Sequence, residues 1–305
     1  MEYGFAFFPG QGAQHTQMGQ ALYESSEAAR RVFDRASSVA DLDVAKLCFE
    51  SSQEELNRTV NSQIAIFTHS LACYEALKDA GVTFKACAGF SLGEYTALVA
   101  AGILSVEDGI RLVRRRGQLM QQAADSMDGC MAAILGLEDE QVEQACASVD
   151  GIVFPVNYNC PGQLVIAGER PAVEKAIAAC KESGARRALP LAVSGAFHTS
   201  LMAEAAKELR AFAQDLTVHE AVMPIYTNVT GEKLEVTDLP AHLERHMCSP
   251  VRWKSLVANG MADGLTTGVE IGPGKTLAGF AKKISKELTV RTAETPEDVA
   301  AVAGV

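Results

Sequence analysis

A short apolar run that breaks into Gly-x-Ser-x-Gly and resumes as a helix leaves a chain few ways to fold. Residues 84–93, FKACAGFSLG, have that form, and they place Ser91 between Gly89 and Gly93. The pattern marks a serine on a sharp turn between a strand and a helix, with its hydroxyl exposed and the next backbone N–H free to bind an anion. The flanking sequence keeps the same rhythm. YGFAFF (3–8) reads as a buried strand and PGQG as the turn after it. Residues 17–38 read as a helix, and residues 62–81 as another that closes on Gly81. Helices follow over 94–104 and 106–124. Strands alternating with helices predict an α/β fold with a parallel sheet.

The rhythm changes in the middle. CMAAILG (130–136), IVFPVNYN (152–159), GQLVIAGE (162–169) and ARRALPLAV (185–193) are strand candidates, with helices over 138–149 and 170–184. The order βαββαβ is the ferredoxin-like split motif. The expected division is a large α/β domain over 1–127 and 195–305, with a small inserted domain over 128–194. Helix, strand and helix resume after Phe197, and residues 268–284 close the core as strand, turn and helix. The Ala- and Glu-rich tail after Arg291 is expected to pack loosely.

Bulk properties exclude some functions. The 305 residues carry a formal net charge of −11, which argues against a nucleic-acid partner because a phosphate backbone needs a basic face. The N-terminus has no basic stretch before its apolar run and reads as a strand, not a signal peptide. No apolar run approaches a membrane span. The eight cysteines show no paired spacing, which fits reduced thiols in a cytoplasmic protein.

A serine hydroxyl needs a base. Among the six histidines, His198 in SGAFHTSLM stands where the chain re-enters the large domain, a position where clefts form. His242 and His246 form H-L-E-R-H, not the zinc-protease H-E-x-x-H, so a solvated helix face is expected there and no metal. GPGK (272–275) lacks the first glycine of a phosphate loop, since position 269 is Val269, and reads as a turn. A lone G-x-S-x-G is more often a turn than a nucleophile, and a lone histidine is more often structural. These residues alone leave an acyl-transfer site open.

Further motifs add to the serine. FPGQG (8–12), RRRGQLM (114–120), NYNCPGQLVIAG (157–168), GAFHTSLM (195–202), SPVRW (249–253) and EIGPGKTL (270–277) follow in order. In this set and spacing the chain resembles the malonyl-CoA:acyl carrier protein transacylases over nearly its whole length. The resemblance implies an α/β-hydrolase-like large domain with the ferredoxin-like insert over the cleft. It implies that malonyl passes from coenzyme A to Ser91 and then to the phosphopantetheine thiol of an acyl carrier protein, with His198 as the base. It implies an oxyanion site from the backbone N–H groups of Gln11 and Leu92. Arg116 would bind the malonyl carboxylate, with Phe197, Asn159 and Gln63 also in the substrate site. A backbone carbonyl in 249–253, assigned to Arg252, would orient His198 in place of a triad aspartate. Phe197 would crowd an α-methyl group.

Thioester exchange is near-neutral, so no ATP, metal or redox cofactor is expected, and the family points to a monomer in fatty-acid synthesis. A stand-alone acyltransferase serving a polyketide synthase and a serine (thio)esterase are the alternatives. The chain departs from the family pattern at Phe90, where G-H-S-L-G is usual. The carrier is acidic by family expectation, so docking calls for a local basic patch. Arg114 and Arg187 are the candidates for it, and Lys275, Lys282, Lys283, Arg186 and Arg187 are candidates for the coenzyme A phosphates.

Overall fold

A computed structural model describes residues 1–193 and 195–305. Its main sheet starts from β1 (Glu2–Phe8), which is buried on both faces after its first residue. Phe5 and Phe7 point into one core layer, Ala6 and Phe8 into the other. Only a strand covered by helices on both sides can be this uniformly apolar. β1 is accordingly central. It pairs in parallel with β2 (Thr83–Gly89) on one side and with β8 (Thr267–Ile271) on the other. β7 (Ile225–Tyr226) and β9 (Thr289–Ala293) complete a five-stranded sheet of order β7-β2-β1-β8-β9. All its pairings are parallel.

Parallel strands end at one edge of a sheet, so the loops after β1, β2, β7 and β8 gather there. Ligands of open α/β sheets bind at this carboxyl edge. The long helix Thr59–Asp79 runs buried against the sheet, and Gly81, at φ +77°, turns the chain out of it into β2.

The second sheet contains β3 (Gly129–Leu135), β4 (Val153–Cys160), β5 (Gln163–Glu169) and β6 (Arg187–Pro190) in the order β4-β5-β3-β6, all antiparallel. Side chains alternate across it. Ala132, Ile134, Leu164 and Ile166 pack under the helices Asp139–Ala147 and Arg170–Glu182, while Met131, Ala133, Val165 and Ala167 join the main core. The small sheet therefore shares its inner face with the large body. A further pairing ties them: Tyr158 N–H donates to Val251 O (2.9 Å) and Val251 N–H to Val156 O (2.7 Å). The expected boundary residue Ser194 lies outside the described residues.

Three expectations are corrected. The single helix over 17–38 is two, Gln20–Ser25 and Glu27–Ala40, because Ser26 leaves helical geometry (φ −117°, ψ 120°) and its hydroxyl caps the second by accepting from Ala29 N–H. Two short helices, Val44–Glu50 and Gln53–Asn57, follow where the sequence suggested no element. The tail is packed, not loose. β9 joins the sheet, the helix Pro296–Ala303 buries Val299 and Val302, and Tyr3 Oη donates to Val302 O at 3.0 Å.

Candidate active site

The turn after β2 is tight. Ser91 has φ 51° and ψ −104°, a strained conformation for a residue with a side chain. The two glycines around it are steric requirements. A Cβ on Gly89 would lie 1.8 Å from the carbonyl carbon of Gly93, and one on Gly93 2.0 Å from Phe8 O. The helix Leu92–Ala100 starts immediately, so its first N–H, that of Leu92, sits beside the serine, while Gly93 N–H and Glu94 N–H donate to Phe90 O and Ser91 O.

Ser91 Oγ is 2.8 Å from His198 Nε2. The other ring nitrogen, Nδ1, lies 3.0 Å from Ser249 O and 3.2 Å from His246 O. Both are acceptors, so Nδ1 carries the proton and Nε2 is left as the base. Burial first, then the charge of Arg116, pushes the imidazole down to about 4, leaving it neutral at physiological pH. A hydroxyl and a neutral imidazole in this contact can form a nucleophile.

The carbonyl assigned from sequence is corrected here. Arg252 does not face the histidine. Its carbonyl accepts from Leu256 N–H at 2.9 Å, its N–H donates to Asn228 O at 3.0 Å and its guanidinium lies over the Tyr158 ring. The strand-like pairing of Val251 with β4 fixes the segment so that Ser249 O reaches Nδ1.

Arg116 is fully buried, on the helix Val106–Asp125. One guanidinium nitrogen donates to Ser91 Oγ at 3.1 Å and the other to Gln63 Oε1. Its Nε has no acceptor among the described residues. Gln63 Nε2 donates to Gln11 Oε1 (3.1 Å), and Gln11 Nε2 to Thr59 Oγ1 (3.1 Å). A chain of amides thus connects the arginine to the loop after β1. The Tyr95 ring stacks under the guanidinium at 4.7 Å. The carboxylate that acts on Arg116 electrostatically, Glu94, is engaged elsewhere, with His242 at 2.6 Å and His246 at 3.6 Å. Arg116 is thus a buried cation with neutral hydrogen-bond partners and no paired carboxylate.

The N–H groups of Gln11 and Leu92 meet no acceptor among the described residues. Gln11 borders the cavity around Ser91 together with His198, Phe197, Met120, Met131 and Asn157. A second cavity shares Gln11, Phe90 and Asn157 with it and runs outward past Asn159, Gln163 and Phe280. Asn159 therefore lines the outer groove and not the chamber around the serine. Its Oδ1 is buried and unpartnered among the described residues. Phe90 forms the wall where chamber and groove meet, its ring 5.7 Å from Trp253 and 6.2 Å from Phe280.

His242 and His246 are not on a solvated face. Both are buried and turned inward toward Glu94. Burial alone would raise the Glu94 carboxyl, but His246, His242 and the Asn228 N–H outweigh it and hold it at about 2. No group of three or more His, Cys, Asp or Glu side chains among the described residues is arranged to hold a metal ion. Two participants had no sequence signal: Asn228 and the His246 carbonyl; Ser249 lies in the expected segment 249–253 and Asn157 opens the motif at 157–168, but neither was singled out. Glu94 was visible only as a helix-start residue.

The chain matches the family described as acyl transferase domain over residues 6–304. It is 42% identical over 296 residues to a malonyl CoA-acyl carrier protein transacylase of Bacillus subtilis (strain 168), covering 96% of this chain and 93% of the relative. The chain belongs to the malonyl CoA-acyl carrier protein transacylase family. Solved structures of this transacylase family agree. The MCAT of Streptococcus pneumoniae superposes with a TM-score of 0.94 at 37% identity, covering 99% of each chain. An acyl carrier protein S-malonyltransferase of Vibrio cholerae gives 0.93 at 41%, covering 98% of this chain and 99% of that one. The same fit, TM-score 0.95 at 38% identity over 99% of each chain, is found for a malonyl-transacylase in complex with a type II PKS acyl-carrier protein.

Proposed function

We infer that the protein transfers malonyl from malonyl-CoA to the phosphopantetheine thiol of an acyl carrier protein through a malonyl ester of Ser91. The observation that carries this reading is Arg116: a fully buried guanidinium, lacking a carboxylate partner, 3.1 Å from the nucleophile. An acyl group with a terminal carboxylate supplies the missing partner, through two parallel charge-assisted bonds.

The steps follow from the geometry. His198 Nε2 takes the Ser91 proton as Oγ attacks the thioester carbonyl. The Gln11 and Leu92 N–H groups hold the developing oxyanion, an interaction worth about 3–4 kcal/mol for one such donor. The imidazolium, its Nδ1–H held by the Ser249 and His246 carbonyls, returns the proton to the departing thiolate. In the second half the same nitrogen deprotonates the carrier thiol, whose thiolate attacks the malonyl ester, and the imidazolium then gives that proton to the departing Ser91 oxygen, regenerating the free serine and the neutral base. Gln63 orients Arg116, and Phe197 and Phe90 shape the chamber. The outer groove, with Asn159 along it, takes the pantetheine arm. The charges, redox state and atoms balance without ATP, metal or redox cofactor.

The finer readings belong to the same proposal. The large sheet with its helices is read as α/β-hydrolase-like, and 128–194 as a ferredoxin-like unit inserted in it. The chain works in fatty-acid synthesis as a cytoplasmic monomer. It docks an acidic carrier through a local basic patch, with exposed Arg187 and partly buried Arg114 as candidates. Lys283, whose Nζ is 3.4 Å from Gln163 at the groove, is placed to meet a coenzyme A phosphate. A polyketide carrier is the second reading, favoured by the similarity to the malonyl-transacylase bound to a type II PKS acyl-carrier protein.

Intact-protein mass spectrometry tests the reading. Brief incubation with malonyl-CoA is expected to add one malonyl to the wild type and none to Ser91→Ala. Acetyl-CoA should label poorly. Arg116→Ala should lose about two to four decades of malonyl preference, since losing one member of a buried pair costs about 3–5 kcal/mol. Equal labelling by both thioesters in the wild type would remove the carboxylate clamp, and release of free malonate in place of transfer would make the protein a thioesterase.

A further inference from the structure

Asn228 follows the short strand β7 and is 1% exposed. All three of its hydrogen bonds to the nucleophile region are short. Its Oδ1 accepts from Ser91 N–H at 2.7 Å, and its Nδ2 donates to Gly89 O at 2.6 Å. Its own N–H donates to Glu94 Oε2 at 2.6 Å. One carboxamide therefore spans the strained turn, holding the residue before the Gly89–Phe90 peptide and the nucleophile itself. Glu94 stands on the helix that Leu92 opens, and it is fixed in turn by His242 (2.6 Å) and Thr227 Oγ1 (3.0 Å).

This contact does two things. It offsets the strain of Ser91, because the turn cannot relax without breaking both side-chain bonds. It also occupies the Ser91 N–H, so that donor cannot turn to a substrate oxygen and the oxyanion is left to Leu92 and Gln11. The same network reaches the base. His246, whose carbonyl accepts from His198 Nδ1, packs its ring at 5.8 Å from the His198 ring and lies beside Glu94.

We propose that Asn228 is a positioning residue for the acyl transfer, clamping the Ser91 turn so that Oγ and the Leu92 N–H point into the chamber together. The proposal rests on malonyl transfer through Ser91. It acts on both half-reactions equally, because the serine is nucleophile in one and leaving group in the other. It does not touch malonyl-CoA.

The test is single-turnover loading from malonyl-CoA and discharge to holo-acyl carrier protein, in wild type, Asn228→Ala and Asn228→Asp. Amplitude counts folded sites and the rate constant reports geometry, so a purely structural loss lowers the first and leaves the second. For Asn228→Ala both rate constants are expected to fall about 100-fold, the scale for a misplacement near 1 Å, with KM for malonyl-CoA unchanged. Asn228→Asp is nearly isosteric and keeps the acceptor for Ser91 N–H, but it replaces the donor to Gly89 O with a carboxylate oxygen that repels that carbonyl. It keeps the proposal testable if the alanine variant does not fold, and its rate constants are expected to fall about 10-fold. Wild-type rate constants at reduced amplitude, in either variant, would overturn the clamp. So would a loss confined to KM. Failure of the wild type to load would overturn the transfer reading itself, whatever the variants do.

Discussion

His198 takes a left-handed backbone conformation, φ 63°, in a fully covered position. Both features serve one end. The ring is aimed at Ser91 and kept uncharged by burial and by Arg116. The pH dependence follows. The base form is present above about 4, so kcat/KM should stay flat from neutral pH downward and fall only on approaching that value. Its acid limb would lie well below the 6.5 of a free histidine. A pH–rate profile with the limb near 6.5 would show the imidazole more solvated than its surroundings imply. Stability moves in the same sense. Between about 6.5 and 4 the unfolded chain binds a proton at this residue that the folded one refuses, so stability declines as pH falls through that window. His246, pushed down to about 3, adds to the decline.

The elements that carry the site are set by close approach. β1 and the helix Leu92–Ala100 meet where Phe90 N–H donates to Phe8 O at 2.9 Å, directly against Gly93. Gly93→Ala would drive a methyl group to 2.0 Å from that same carbonyl, a backbone atom that cannot swing aside. The expected outcome is a loss of about 4 kcal/mol or more, the range of severe backbone clashes. It would be read as a drop in the urea midpoint and in soluble yield. A midpoint within experimental error of the wild type would mean that the helix can slide.

This is also the scale at which the sequence was most informative. The order of short apolar runs announced the parallel sheet and the split βαββαβ unit. Ser91, His198 and Arg116, which the structure brings together, stand in motifs that the family resemblance named. Asn228 could not be picked this way. It follows a strand of two residues, and its partners lie 137 and 139 positions away. The orienting carbonyl could not be chosen either, since a main-chain oxygen has no residue identity. Only the pairing of Val251 with β4 selects Ser249 over Arg252. His242 and His246 misled because Glu244 and Arg245 lie between them and suggest a wet face. The partner that draws them inward, Glu94, is 148 residues from His242.

Across the whole molecule, the C-terminal segment is structural. The strand β9 pairs residue for residue with β8 from Thr267 to Ile271, and Glu294 holds the loop after β8 through Gly274 N–H at 3.0 Å. The same carboxylate contacts His15, in the loop that begins with Gln11. Ending the chain at Thr295 would remove Val299 and Val302 from the core and the Tyr3 bond to Val302 O. Two buried valines are worth about 1.5–3 kcal/mol each. The shortened protein should melt several degrees lower in a thermal scan while its Ser91 still loads malonyl at saturating substrate. An unchanged melting temperature would mean that this helix contributes nothing to the fold.

The central place of β1 has a consequence for how the protein is made. β1 is flanked by one partner at 83–89 and another at 267–271 that is translated far later. Asn228 and Ser249, which hold the serine and the histidine, also arrive late. A nascent chain or an abortive product that stops before Asn228 carries Ser91 on the β1–β2 pair alone, without the groups that hold the serine and the histidine. Such a chain is expected not to load malonyl from malonyl-CoA. The segment from Asn228 to Ile271 therefore completes the site, and the protein acquires its chemistry late in its own synthesis.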